Sequence, residues 1–167
     1  MGDVGHRSRG LESDLRSTAV HALHTLGLRD AMFAIDSLVA AIEQRGDAAV
    51  VAVADVRGEM IAVLRMDGAG ISSLQIAQNK AFTAARLGSP TKDVGTRVRS
   101  PEAGHDIGYF GDSRYVGWGG GIPVVFRGEC VGAVAVSGLP EDVDMGLCQA
   151  TVDKLVEFIE RTMPQVG

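Results

Sequence analysis

Three side chains that could transfer protons lie close together in the chain: His105, Asp106 and Tyr109. An imidazole, a carboxylate and a phenol at this spacing can act as general acid and base, and an imidazole can also ligate a metal or haem. We predict all three as catalytic candidates, with His105 as a candidate ligand of a metal or haem. Their segment, 92–121, is rich in glycine and charge and lacks periodicity, which predicts a long functional loop.

A second group could bind an anion where a predicted strand turns into a predicted helix. Arg65 and Asp67 stand in this turn, and Ser72 or Ser73 can cap the helix that follows. Backbone N–H groups at a helix start are free to bind a carboxylate. Lys80 lies two helical turns beyond Ser73 and within about 20° of the same face, so its ammonium could reach the same cleft. We predict these five residues as ligand-binding.

A tryptophan and three consecutive glycines, Trp118, Gly119, Gly120 and Gly121, precede a predicted strand. A glycine run before a strand fits neither the dinucleotide-binding fingerprint nor the P-loop. Such glycines allow positive φ and a close approach of the backbone to a ligand, or they form a plain bulge. We predict these four residues as ligand-binding too. The chain carries none of the common metal-binding motifs, so we expect no dedicated metal site.

Hydrophobic periodicity predicts the elements that position these residues. The apolar runs 48–54 and 60–66 flank a polar turn, and 122–126 and 130–136 repeat the arrangement, which predicts two hairpins. Helical spacing predicts two N-terminal helices (about 15–26, and one that Asp30 caps and Gly46 ends), a middle helix from Ser72 or Ser73 to Leu87, and a C-terminal helix from Pro140 to Arg161. We expect an α+β fold with a mainly antiparallel sheet of about five strands. Residues 1–12 are predicted as a disordered leader and 13–167 as a single domain.

Composition and charge argue against several partners. The net charge is −5 and no basic run is interleaved with aromatic residues, so we expect no nucleic acid partner. We find no secretory signal and no apolar stretch long enough to span a bilayer, which predicts no membrane partner and a cytoplasmic location. The two cysteines, Cys130 and Cys148, are expected to be buried thiols.

Several short motifs together resemble the GlcG/HbpS-like haem-binding (haem-degrading) family over about residues 31–160. The matching pieces are RMDGA at 65–69, Ser73, IA at 76–77, KA at 80–81, TAA at 83–85, PT at 90–91, GGGIP at 119–123 and VGAVAVSG at 131–138. The C-terminal domain of PduO-type corrinoid adenosyltransferases is similar as well. The resemblance implies a profilin-like sheet, assembly into homo-oligomers, and binding or degradation of haem.

Two functions follow as hypotheses. In the first, the chain is a small-molecule-binding protein that holds haem or another ligand in a cleft between the helix starting at Ser72 or Ser73 and the 92–121 loop. In the second, it is a cofactor-independent enzyme, an isomerase, cyclase, lyase or hydrolase, that acts on a small carboxylated or aromatic metabolite. Both hypotheses place a negatively charged ligand near Lys80 or Arg65.

Overall fold

The chain forms a four-stranded antiparallel sheet with helices on both faces. The computed structural model describes residues 23–163. Its elements, in chain order, are α1 (Leu28–Gln44), β1 (Val50–Asp55), β2 (Met60–Arg65), α2 (Ser72–Leu87), α3 (Thr91–Val98), a 3-10 turn (Ile107–Phe110), β3 (Gly121–Phe126), β4 (Glu129–Ser137) and α4 (Glu141–Thr162). No helix within this part of the chain is long and apolar enough to cross a membrane.

The sheet order is β2-β1-β4-β3, and every pair in it is antiparallel. β1–β2 and β3–β4 are the two predicted hairpins, and β1 joins β4 at the centre, from Val50 opposite Ser137 to Asp55 opposite Gly132. The predicted α+β class and antiparallel sheet are confirmed. The two hairpins supply all the strands seen between residues 23 and 163, so the sheet has four strands there rather than about five.

Large and small apolar residues alternate along the two central strands. Valines such as Val51 and Val134 face the cluster formed with α1 and α4, whereas alanines such as Ala52 and Ala135 face α2. Side chains alternate between the two faces of a strand. One face of the sheet therefore carries large side chains that pack against α1 and α4, and the other carries small side chains that allow α2 to approach closely. The alanine-rich side of α2 therefore packs close to the sheet, as predicted.

The helix starts differ from the predicted caps. The N-cap residue of α1 is Gly27, and Asp30 instead lies in the first turn, where its carboxylate accepts the Gly27 N–H at 2.8 Å. The N-cap residue of α2 is Ile71, which already has helical dihedral angles, and neither Ser72 nor Ser73 makes a capping bond. Because the preceding turn leads directly into helical geometry, the helix begins without a side-chain cap.

The first predicted helix falls mainly on residues outside the described range. Its last part, residues 23–27, is not helical. The Leu26 N–H donates to the Val131 carbonyl at 2.8 Å, so this stretch runs beside the sheet instead.

The segment 92–121 contains regular secondary structure that was not predicted. The prediction of a loop without regular structure was wrong, because the segment contains most of α3 and the 3-10 turn. Pro90 starts α3, its carbonyl accepts the Val94 N–H at 3.2 Å, and Val94 and Gly95 are buried. With one buried valine and a glycine on its inner side, α3 shows too little apolar periodicity to be recognised from sequence.

Candidate functional site

A buried ion pair lies among the residues predicted to bind ligand. Lys80 on α2 is only 1% exposed, and its Nζ donates to Asp144 Oδ2 on α4 and to the Val136 carbonyl on β4, each at 3.0 Å. The second oxygen of Asp144 accepts the Leu139 N–H at 3.3 Å. We call Lys80 and Asp144 the buried pair. It connects two helices that lie on opposite faces of the sheet.

Gly120 provides the space that the Lys80 ammonium occupies. Its φ is +116°, and a Cβ atom at this position would lie 2.7 Å from Lys80 Nζ and 2.8 Å from the Val136 oxygen. The positive φ and close approach predicted for the glycine run therefore occur at Gly120. The group that approaches it is a lysine of the same chain.

Burial controls the protonation of this region. It raises the pKa of the Asp144 carboxyl, and the neighbouring Lys80 ammonium opposes this effect. Burial also raises the pKa of the Cys148 thiol far above its usual range. The Cys148 thiol donates to the Gly120 carbonyl at 3.2 Å. Cys148 is thus a protonated structural thiol at neutral pH, not a nucleophile.

Trp118 covers the buried pair and remains accessible. Lys80 Nζ lies 5.6 Å from the centre of the Trp118 ring, and the residue is 57% exposed. The next residue is anchored, because the Gly119 N–H donates to Glu141 Oε1 at 2.8 Å. Glu141 Oε2 in turn accepts from Lys92 Nζ at 2.7 Å. A large aromatic side chain is therefore presented on the surface by a fixed backbone.

The backbone before Trp118 packs directly on α3. A Cβ atom at Gly95 would overlap the Gly117 carbonyl, so only glycine allows this approach. Arg99, just after α3, donates from Nη1 to the same carbonyl at 3.3 Å. Helix α3 thus supports the segment that carries the tryptophan.

An open groove of about 550 Å³ adjoins this segment, which is within the usual size range of small-molecule sites. A Cβ atom at Gly119 would lie 2.7 Å from both Glu141 Oε1 and Met145 Sδ, two residues that line the groove. The other lining residues are Lys92, Ile122, Asp142, Gly146 and Gln149. The groove lies between α3 and α4.

The three catalytic candidates lie in the 3-10 turn and just before it. The His105 ring packs edge-on against Phe110 at 5.6 Å, and Asp106 accepts the Gly108 N–H at 2.8 Å. Tyr109 is 83% exposed. Within residues 23–163, no hydrogen bond or ring contact connects these three to the buried pair or to the tryptophan. Their catalytic role stays a prediction.

Aromatic contacts hold the intervening segment on α2. Phe110 stacks on Tyr115 with ring centres 4.5 Å apart, and Tyr115 meets Phe82 of α2 edge-on at 5.1 Å. The Arg114 guanidinium lies 3.9 Å from the Phe82 ring centre. The Thr83 hydroxyl accepts the N–H of Val116 at 3.0 Å. These contacts attach the segment to the C-terminal half of α2.

The remaining predicted ligand-binding residues surround the start of α2. Arg65 donates to the Ala69 carbonyl at 3.1 Å, within its own turn. Asp67 and Ser72 are exposed and Ser73 is buried. The structure therefore brings together Lys80, Trp118 and the three glycines, and the other four lie around the start of α2.

Sequence reasoning missed the partners of these residues. Glu141 and Asp144 lie in the first turn of α4, where acids interact favourably with the helix dipole, and neither was predicted as a site residue. Lys80 and Asp144 are 64 residues apart, and no local pattern connects them. Lys92 lies on a helix that was not predicted, and Arg99 directly follows it.

The Glu141 contact predicts a pH-dependent change at Trp118. Lys92 and the Gly119 N–H lower the pKa of Glu141. A carboxyl whose pKa falls on folding stabilises the fold above its usual pKa, and this contribution disappears as the pH drops through the lowered value. Trp118 is the only tryptophan, so its fluorescence reports this site alone. We expect constant emission from pH 7 to 5 and a red shift below about pH 4.

Two variants identify the group that titrates. Glu141→Gln should show altered emission already at pH 7 and no further step at low pH. Asp142→Asn, which changes the exposed neighbouring acid, should behave like the unmodified protein. An acid step of normal size in Glu141→Gln would assign the transition to another carboxyl, such as Asp112, whose pKa Arg114 also lowers.

Known proteins share this architecture. The family described as "Haem degrading protein HbpS-like" matches residues 26–153. An uncharacterised 15.0 kDa protein from Citrobacter freundii is 34% identical over 109 residues, which are 65% of this chain and 77% of that protein. A double mutant of Streptomyces reticuli HbpS is 29% identical, with a TM-score of 0.72 and coverage of 93% of this chain and 99% of the other. A PduOC–haem complex is 25% identical, with a TM-score of 0.71 and coverage of 77% and 94%.

Proposed function

The chain belongs to the HbpS-like family of haem-degrading proteins, and from this premise we propose that it binds haem on the exposed face of Trp118 and in the adjoining groove. The observation that carries the proposal is Trp118 itself, which is 57% exposed although its backbone is held by α3 and α4. A fixed and exposed indole offers a planar ligand a stacking surface at little cost in conformational entropy.

One further observation supports a haem-sized ligand. The groove beside Gly119 has a volume of about 550 Å³ and includes the apolar side chains Ile122 and Met145. A haem iron needs only one or two axial ligands, and we propose His105 or Tyr109 for that role.

In this proposal Lys80 acts through Trp118. Its ammonium is bonded to Asp144 and Val136 and lies beneath the indole, so it positions the ring instead of meeting the ligand's carboxylate. The proposed binding surface is therefore Trp118, Gly119 and the groove between α3 and α4.

Haem titration tests the proposal. Haem should quench Trp118 fluorescence and give a sharp Soret band, and Trp118→Ala should weaken binding by about tenfold or more, because it removes the stacking surface. Ile71→Ala is a matched control, since Ile71 is a large apolar side chain that is 71% exposed at the start of α2. A broad Soret band at every ratio, or equal affinity in Trp118→Ala, would contradict the proposal.

The Soret position identifies the axial ligand in the same titration. His105→Ala should shift or weaken the band if the imidazole binds iron, and Tyr109→Phe should do so if the phenolate does. Neither substitution should alter the quenching of Trp118 in the absence of iron, with protoporphyrin IX as the ligand. An unchanged band in both variants would exclude both residues as iron ligands.

Other aspects of the function stay predictions. Assembly into homo-oligomers, a cytoplasmic location and the absence of nucleic acid and membrane partners are not tested by the contacts within one chain. The alternative of a cofactor-independent enzyme depends on His105, Asp106 and Tyr109, and no contact of these residues favours it over haem binding.

A further inference from the structure

We infer that Arg99 binds the carboxylate of the planar ligand, so that this site selects planar anions over planar neutral molecules. This inference rests on the proposed function, because it requires a ring stacked on Trp118. It proposes that the protein recognises the ligand's negative charge, and that Arg99, which lies outside the family motifs quoted above, binds that charge.

Arg99 is held beside the tryptophan. Its Nη1 donates to the carbonyl of Gly117, the residue directly before Trp118, and a Cβ atom at Gly95 would lie 2.7 Å from its Nη2. The residue is exposed. A guanidinium has five N–H groups in a planar fork, so one bond to a carbonyl leaves donors free for a bidentate contact with a carboxylate.

The other cations near the ring are already paired. Lys80 is buried against Asp144, and Lys92 donates to Glu141 at 2.7 Å. No ion pair formed within residues 23–163 includes Arg99. Arg99 is therefore the cation beside Trp118 whose charge is not compensated by a carboxylate of the described residues.

Arg97, in the last turn of α3, provides a matched control. Gly95 marks the side of α3 that faces the Trp118 segment, and at 100° per residue Arg99, just after the helix, lies about 40° from Gly95 whereas Arg97 lies about 160° away. Both arginines are exposed. Substituting either one changes the net charge equally, but only Arg99 is on the side of the proposed site.

The experiment compares Arg99→Gln and Arg97→Gln in titrations with haem and with haem dimethyl ester, followed by Trp118 quenching. Glutamine keeps an N–H donor for the Gly117 carbonyl but removes the charge. We expect Arg99→Gln to weaken haem binding by about tenfold, in the range for a hydrogen bond to a charged group, and Arg97→Gln to change it less than about twofold. The neutral ester should bind both variants and the unmodified protein equally well. Thermal melting and emission without ligand confirm that Arg99→Gln keeps its fold.

The outcomes separate this inference from the proposed function. If the unmodified protein binds haem but Arg99→Gln binds it equally tightly, or if the ester is weakened as much as haem, the Arg99 assignment is wrong and the proposed function stands. Equal losses in both arginine variants would show a general charge effect and would also overturn the assignment. If the unmodified protein does not bind haem, the proposed function fails, and iron-free protoporphyrin IX then decides the assignment. Its weaker binding to Arg99→Gln alone supports the assignment, and equal or absent binding overturns it.

Discussion

Lys80→Met is expected to lower the free energy of unfolding by about 3–5 kcal/mol, the usual cost of removing one partner from a buried ion pair. The substitution leaves the Asp144 carboxylate, whose side chain is 2% exposed, without its ammonium partner and with backbone N–H donors such as that of Leu139 at 3.3 Å. It also leaves the Val136 carbonyl without the Lys80 donor. Urea denaturation followed by circular dichroism measures the change. From sequence alone, the same substitution would be expected to weaken ligand binding without affecting the fold.

A double variant distinguishes the pair from simple loss of packing. Lys80→Met with Asp144→Leu removes both charges and fills the space with apolar atoms, so most of the lost stability should return. Asp144→Leu alone should be destabilising, since it leaves a buried ammonium. If Lys80→Met unfolds at the same urea concentration as the unmodified protein, the lysine is not buried as described. If the double variant is less stable than either single one, the charges contribute stability that apolar packing does not replace.

Gly120→Ala is the second substitution with a large expected effect, about 2–6 kcal/mol of stability. Two costs add at this position. An L-residue at φ +116° is strained, which typically costs about 1–3 kcal/mol, and overpacking a full site costs about 1–3 kcal/mol more. The added methyl would lie 2.7 Å from Lys80 Nζ and 2.9 Å from Asp144 Cβ, so it must displace the buried pair. Emission from Trp118 should change with it.

Gly128→Ala isolates the first of these costs. Gly128 has φ +84°, and nothing lies within 4 Å of a Cβ atom there, so alanine adds backbone strain without a clash. We expect a smaller loss of stability, about 1 kcal/mol, and unchanged Trp118 emission. Equal losses at Gly120 and Gly128 would mean that the space beside Lys80 is less restricted than the contact distances indicate.

Periodic patterns predicted most of the fold. Both hairpins were found because runs such as 48–54 and 122–126 are rich in branched residues and are each followed by a polar turn. The helices α1, α2 and α4 were found because their apolar residues repeat at helical spacing. These signals are local, and each lies within a few residues of the element that it predicts.

Contacts between side chains that are far apart in the sequence could not be predicted. Lys80 was correctly selected, but its partner Asp144 was not, and the expectation of an ammonium pointing toward a ligand followed from that omission. Trp118 was also selected, yet its supports, Glu141 and Arg99, reach it through backbone groups of Gly119 and Gly117. Contacts to backbone atoms cannot be predicted from residue type, because almost every residue has the same backbone N–H and carbonyl groups.

The central strand pair also restricts the order in which the chain can fold. The hairpins β1–β2 and β3–β4 form from neighbouring residues, but a two-stranded hairpin is marginal by itself in water. The sheet becomes continuous only when β1 meets β4, with α2, α3 and the tryptophan segment all enclosed between them. Bringing β1 and β4 together closes a long loop, and the chain loses entropy before the contacts between the strands compensate for it. We therefore expect slow folding. Since the buried pair joins α2 to a helix that follows β4, the site forms only when these distant parts of the chain have met.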